Sequence, residues 1–478
     1  MVNPDDTVPV RLSASPAAGF PNCFFIQIPI VPQSSPVVRT SLADLAHFSL
    51  DRAKEFGATA AEVEISTSLG QDVTVRMGEV ETIEHNRNKG LGITVYLGQQ
   101  RGNASTSDLS QDAVERTVRA AMAIAKYTAA DEFAGLADPE QMAQPPFGDF
   151  GLFYPWKLAV DDAIALGKRI EAAAFAVDKR INNSEGASVS TSESDFIYAN
   201  SAGFIGGYPT TRHSASCSVI ATSKQGMQRD YWYAVARDEH GLESAESIGR
   251  RAGERTVARL DAKKIASCDV PVLFEAPVAS GLIGSFVGAV SGSALYRKAS
   301  FLMDSIGETV FSPLVSIRED PAIRGGLASG PFDAEGVRTV ARDVVKNGVL
   351  QGYFLAAYSA RKLGLKSTGN AGGNHNLVVS PCAMNLDFAA LIKKMHRGLV
   401  VTELMGQGVN NVTGDYSRGA AGFWVESGEL AYPVEEITIA GNMKQMFKDI
   451  VAVGNDDLAL GSKRVGSILI ERMAIAGE

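Results

Sequence analysis

The residues of this chain best suited to ligate a metal or move a proton near neutral pH are six histidines, His47, His85, His213, His240, His375 and His396. No two stand four apart and none is followed by glutamate, so the HExxH helix that offers zinc two imidazoles and a general base is absent. A catalytic zinc needs about three converging protein ligands. Each lone histidine would have to borrow partners from distant loops, and each reads as a surface or hydrogen-bonded core residue. Ser-His-Asp chemistry assembles in space and spacing does not exclude it, but no Gly-x-Ser-x-Gly elbow anchors a nucleophile. Gly369-Asn370-Ala371-Gly372-Gly373 lacks the spacing of a phosphate-cradling loop and no Lys-Ser/Thr follows, which favours a turn needing positive φ. Cys382 follows Pro381 in an apolar stretch without a neighbouring histidine and reads as a buried, inert thiol.

The bulk numbers narrow the classes further. A chain of 478 residues exceeds one ordinary core, so two or three domains are expected. With 45% hydrophobic and 21% charged residues it has the composition of a globular protein. A net charge of -9 and no long Lys/Arg run argue against direct nucleic-acid binding. The four cysteines are widely spaced and form no CxxC pair, which fits a reducing cytoplasm. The apolar stretch 24–31 is short, interrupted by Gln27 and Pro29 and not preceded by a basic segment, so it makes a poor signal peptide. No apolar run approaches the roughly 18–20 residues of a membrane span.

The elements that must position any site follow from periodicity. Residues 1–38 hold seven of the 19 prolines and no periodic pattern, and are expected to be a flexible extension. A helix is expected from Ser41, as N-cap, to Gly57, followed by strands 61–66, 72–77, 82–86 and 91–97 separated by Gly70, Gly78 and Gly90, then a helix over 110–126. Pro145, Pro146 and Pro155 mark a linker, after which a helix over 158–177 and strands over 188–199 open a second layer. A charged amphipathic helix spans 242–264. Beyond 270 the chain turns strand-rich, with strands at 399–404, 422–426, 436–440 and 465–471. The expected fold is α+β: an N-terminal α/β region with antiparallel sheet and flanking helices (39–145), a central α/β region (146–265) and a β-rich C-terminal domain (266–478) carrying the dimer surface.

Three long segments resemble the PmbA (TldE) branch of the TldD/PmbA family of zinc metalloproteases: Ser291-Gly-Ser-Ala-Leu-Tyr-Arg-Lys298, Lys366-Ser-Thr-Gly-Asn-Ala-Gly-Gly373 and Gly406-Gln-Gly-Val-Asn-Asn-Val-Thr-Gly-Asp-Tyr-Ser-Arg-Gly419. Shorter matches at 77–81, 91–95, 206–209, 226–231 and 436–442 extend the resemblance from about Leu42 to the C-terminus. In the TldD branch the segment before the equivalent of Arg297-Lys298 is similar to HExxxH on a helix, with a further cysteine ligand near the C-terminus. Here Gly284, Ser285 and Ala289 face the first set and Val453-Gly-Asn-Asp-Asp457 faces the cysteine.

The resemblance implies a heterodimer. A TldD-type catalytic subunit supplies zinc and hydrolysis, while the PmbA subunit holds no catalytic residue and no cofactor and completes a groove for unfolded or short peptides, in proteolysis and in maturation of modified peptides such as microcins. Homodimerisation of the isolated chain stays open. Substrate or interface roles fall to Arg297, Lys298, Asn370, Asn374, His375, Asp415 and Arg418, against the plainer reading of ion pairs and loop-fixing contacts. Two other classes are carried: a metallopeptidase in its own right through scattered His, Asp and Cys, and a regulator that touches DNA gyrase or its toxin-antitoxin partners through protein contacts.

Overall fold

The computed structural model describes residues 36–478, with side chains from residue 41. Of the extension expected over 1–38, residues 1–35 lie outside the described residues and 36–38 already belong to a helix. That helix, α1 (Pro36–Glu55), starts five residues before the expected cap at Ser41. Proline in a first turn forfeits only an N–H that a helix start cannot satisfy anyway.

β1 (Ala60–Arg76), β2 (Glu79–Leu97) and β3 (Gln100–Thr106) follow, then α2 (Gln111–Tyr127) and α3 (Val160–Phe175), then β4 (Ile181–Asn200), β5 (Ile205–Thr222), β6 (Met227–Ala236) and α4 (Ala245–Ala258). The four short strands expected over 61–97 are two long ones. Gly70 and Gly90 stay extended and paired, opposite Asn86 and Ser66, whereas Met77 and Gly78 both adopt positive φ and make the two-residue hairpin turn. α4 is shorter than the expected 242–264, because a 3₁₀ turn at Glu239–Gly241 precedes it and Asp261 breaks the pattern with φ 61°.

The second layer expected after the linker does not exist as such. β4 pairs along β1 from Glu62↔Asn200 to Val75↔Ala187, giving one antiparallel sheet in the order β3-β2-β1-β4-β5-β6. Alternation puts Val63, Ile65 and Val73 on one face. Near one end that face packs on α1 and α2, near the other on α3 and α4. α3 and α4 approach so closely that a Cβ on Gly249 would lie 1.9 Å from the Ile170 carbonyl oxygen. From α3, the buried Glu171 carboxylate accepts the N–H groups of Met77 and Gly78 at 2.9 and 2.7 Å and so pins the β1–β2 turn. Glutamine offers one carbonyl where the carboxylate offers two oxygens. Glu171→Gln is therefore expected to cost about 1–2 kcal/mol, read as a lowered urea midpoint with faster amide exchange at Met77 and Gly78; unchanged exchange at both would refute the assignment.

The C-terminal half contributes β7 (Cys268–Phe274), β8 (Ile317–Asp320), β9 (Arg342–Lys346), β10 (Val349–Leu350), β11 (Asn376–Val379) and β12 (Gly398–Met405). These are followed by β13 (Asp415–Glu426), β14 (Glu429–Asn442), β15 (Ile450–Val453), β16 (Leu458–Ala459), β17 (Lys463–Val465) and β18 (Ile468–Ala476). Helices α5 (Ala276–Ala289), α6 (Gly292–Tyr296), α7 (Ala357–Lys362), α8 (Phe388–Met395) and α9 (Met443–Lys448) lie between them. One sheet runs β14-β13-β12-β7-β18-β15 and closes into a barrel through β14–β18; the other runs β10-β9-β8-β11-β17-β16. The strand expected over 465–471 is interrupted at Gly466 and Ser467, where the Ser467 N–H and hydroxyl both bond to Asp456. Phe274, Phe286, Phe311 and Phe447 fill the core, with the last two rings stacked at 4.3 Å. Among the described residues no helix is long and apolar enough to cross a membrane.

Candidate functional site

α5 carries the positions that face a zinc motif in the resemblance. Leu282, Ile283, Phe286 and Ala289 are buried in the barrel-side core, which explains why an apolar run with Pro277 in its first turn forms a helix here. Gly281 and Gly288 border open space, and Gly284 looks onto Lys463 of β17, whose Nζ lies 4.0 Å from where a Cβ would be. Ser285 turns its hydroxyl onto its own helix, 3.2 Å from the Gly281 carbonyl. The helix therefore presents no metal donor: glycine has no side chain, Ala289 is buried, and the Ser285 hydroxyl is bonded within the helix. The Lys463 ammonium, held below its ordinary pKa by burial, has no ion-pair partner among the described residues and puts positive charge over the same helix face. Asp456, in the segment facing the resemblance's cysteine, accepts the Ser467 N–H and hydroxyl at 2.9 and 2.6 Å, and Ser467 accepts the Ala276 N–H at the start of α5. These residues do not fit a zinc ion. Among the described residues one group of three could gather round a metal, Asp238, Glu239 and His240, on the β6–α4 connection, where Asp238 already caps the turn by accepting the His240 N–H.

The three long motifs converge. Gly292 N donates to Phe354 O, Thr368 and Leu355 bond reciprocally, and Phe301 N donates to Asn411 O, so the segments around 291–298, 366–373 and 406–419 are tied to one another through 353–355 and Phe301. Arg297 closes α6 with its Nε on Ser293 O at 2.8 Å, and Lys298 follows with φ 56°, its side chain exposed. Asp415 holds the 406–414 loop by accepting from Thr413 Oγ1 at 2.6 Å and Asn442 Nδ2 at 3.1 Å, and these bonds lower its pKa. Asn370 and His375 bind Glu319, a carboxylate only 1% exposed that accepts Asn370 Nδ2 at 2.7 Å, His375 N at 2.8 Å and Arg342 Nε at 2.9 Å. Asn374 Nδ2 bonds to His375 O, and the His375 ring lies between the carbonyls of Gly369 and Ala328. Arg418 is half-buried on β13, beside a cavity that none of the Glu319 group lines.

Sequence reasoning missed Glu319, Arg342 and a second acidic group. On the sheet face opposite the helices, Glu62 accepts the hydroxyls of Tyr96 and Tyr198 at 2.9 and 2.8 Å. Asp333 binds the N–H groups of Glu335, Val337 and Ala371, and Glu335 accepts Ala357 N at 2.8 Å. Burial first, then the nearby carboxylates of Asp333 and Glu62, push Glu335 up to about 7 against the Ala357 N–H and Arg361. The only available signal was composition, acidic residues beside aromatic and glycine neighbours, which does not separate a buried carboxylate from a surface one.

Comparison with known proteins places this architecture. Three family models match in series: PmbA/TldA metallopeptidase domain 1 over 61–125, the central domain over 153–260 and the C-terminal domain over 267–477. The chain is 49% identical over 419 residues to Metalloprotease PmbA of Escherichia coli O157:H7, covering 87% of this chain and 92% of that protein. It is 45% identical over 437 residues to the Metalloprotease PmbA homolog of Haemophilus influenzae, covering 91% and 96%. A crystal structure from Bacteroides thetaiotaomicron, described as a modulator of DNA gyrase, superposes with a TM-score of 0.86 at 28% identity, over 91% of this chain and 99% of that one. With three successive domains matched and nearly half the residues shared across most of its length, the chain belongs to the PmbA/TldD metallopeptidase family as a PmbA-type member.

Proposed function

We propose that this chain is the non-catalytic partner subunit of a heterodimeric zinc peptidase, completing a peptide-binding groove for a TldD-type subunit that supplies the metal. The observation that carries the reading is α5: Gly284, Ser285 and Ala289 offer zinc nothing, Lys463 sets an ammonium against the same face, and Asp456 is committed to Ser467. The substrates are unfolded or short peptides, including modified peptides that need trimming. A second wall needs no catalytic group to hold them, because backbone groups on a free strand edge bind extended peptide with little sequence preference. β6, bonded to β5 on one side alone, and the end of β12 beyond its last pair with β7, Val401↔Phe274, are such edges. Cys217, Cys268 and Cys382 are all free thiols, which supports a reducing, cytoplasmic setting.

The test is zinc content, peptidase activity and mass of the purified chain, alone and after mixing with the TldD-type protein of the same organism. Substoichiometric zinc and no cleavage alone, with activity appearing in a mixed dimer, is the expected outcome. Stoichiometric zinc and unaided cleavage by the isolated chain would reject the reading in favour of an independent metallopeptidase.

A further inference from the structure

A cavity of about 310 Å³ opens between β6, the end of α4, the start of α5, β12 and β13. Six charged residues line it: Arg229, Asp230, Arg255, Arg259, Glu403 and Arg418. Five are ion-paired within the chain. Arg229 meets Glu185 at 3.1 Å; Arg255 meets Glu275 at 2.7 Å and Asp230 at 3.4 Å; Arg259 meets Asp230 at 3.6 Å and also Glu403. Arg418 is the exception. Its Nε is enclosed, and it has neither a hydrogen-bond acceptor nor a counter-ion among the described residues. Further along the same cavity, Thr402 Oγ1 is also enclosed and unpartnered. Thr402 owes its position to a register shift on β12 between Val401 and Glu403, in the stretch just beyond the last pair with β7. The enclosed Nε goes without an acceptor while the two Nη groups stay open to solvent, and a carboxylate is the group that satisfies such a fork with two charge-assisted bonds. On the opposite wall Tyr231 and Tyr233 stack at 6.2 Å, offering an apolar surface for the rest of a ligand.

We propose that this cavity is a carboxylate subsite for a bound peptide, with Arg418 as the anion anchor. This deepens the partner-subunit reading by naming a chemical feature of the peptide that this wall recognises. The carboxylate comes either from a peptide C-terminus or from an Asp or Glu side chain.

The experiment is calorimetric titration of the full-length wild-type chain with three probes: acetyl-pentaalanine with a free C-terminus, the same peptide as its C-terminal amide, and acetyl-Ala-Ala-Glu-Ala-Ala-amide. One or both carboxylate probes should bind about tenfold or more tightly than the neutral amide. Preference for the free acid identifies the terminus, and preference for the glutamate peptide identifies the side chain. In Arg418→Met that preference should vanish while binding of the neutral amide and the melting temperature hold; Arg418→Lys should keep part of it. Equal affinity of all three probes for the wild-type chain, absence of binding at millimolar peptide, or a preference that survives Arg418→Met would each overturn the proposal. None of these readouts involves zinc or the partner subunit, so the titration and the mixing experiment fail independently.

Discussion

Glu319→Ala is expected to destabilise the C-terminal half by about 3–5 kcal/mol, the range for removing one partner of a buried ion pair. The carboxylate is a hub: Arg342 Nε, Asn370 Nδ2 and the His375 backbone N–H all donate to it. Arg342 is further held by Tyr353 O at 2.9 Å and Asn370 Oδ1 at 3.1 Å, so it cannot swing out to water without breaking the 353–355 and 366–375 segments apart. Alanine leaves a guanidinium, an amide and a backbone N–H without their acceptor. Urea unfolding followed by near-UV circular dichroism should show a much lower midpoint, and the double variant Glu319→Leu/Arg342→Met should recover part of the loss because the orphaned charge is gone. A single variant that unfolds with the wild-type midpoint would show that this network holds nothing.

Glu335→Gln should do the opposite, and only above acidic pH. A carboxyl raised from its ordinary 4.5 to about 7 binds its proton more tightly in the folded chain than in the unfolded one. The folded state therefore holds more protons between pH 4.5 and 7, and stability falls as pH rises through that window, then stays at the lower level above it. The full penalty corresponds to roughly 3 kcal/mol. Glutamine keeps a carbonyl for the Ala357 N–H, cannot ionise, and removes the repulsion from Asp333 and Glu62. The variant should match the wild type near pH 4.5 and exceed it by up to that amount at pH 8, compared as urea midpoints. An equal difference at both pH values would point to packing instead of charge.

How far these features are legible beforehand differs by element. α2 is legible because Ala113, Val114, Val118, Ala121, Met122 and Ala125 share one face, and all are buried. The C-terminal strands at 399–404, 422–426 and 436–440 lie inside β12, β13 and β14. Gly70 and Gly90 mislead because glycine breaks a strand only where φ turns positive, as at Gly78, and residue type does not reveal which will. The union of β1 with β4 is invisible locally, since pairing partners carry no mark of each other. At the site, the missing zinc ligands are readable from residue types on α5. What Lys463 does to that face, what Glu319 gathers, and which arginine at the cavity stays unpaired all depend on side chains brought together from distant strands.

The pairing of β1 on both edges has a consequence for how the chain is made. As synthesis proceeds, β2 emerges at once and zips onto one side of β1, but the other side must wait for β4: Val75 for Ala187, Glu62 for Asn200. At the usual pace of translation the ribosome needs about 6–25 s to travel that stretch. Throughout it, a 17-residue strand stands with one flank open and with Val63, Ile65 and Val73 only partly covered, a template for the same strand on a neighbouring nascent chain. Crowded polysomes are thus where this protein is most vulnerable to aggregation, and slowing translation between residues 76 and 200 should lower its soluble yield more than slowing it after residue 268.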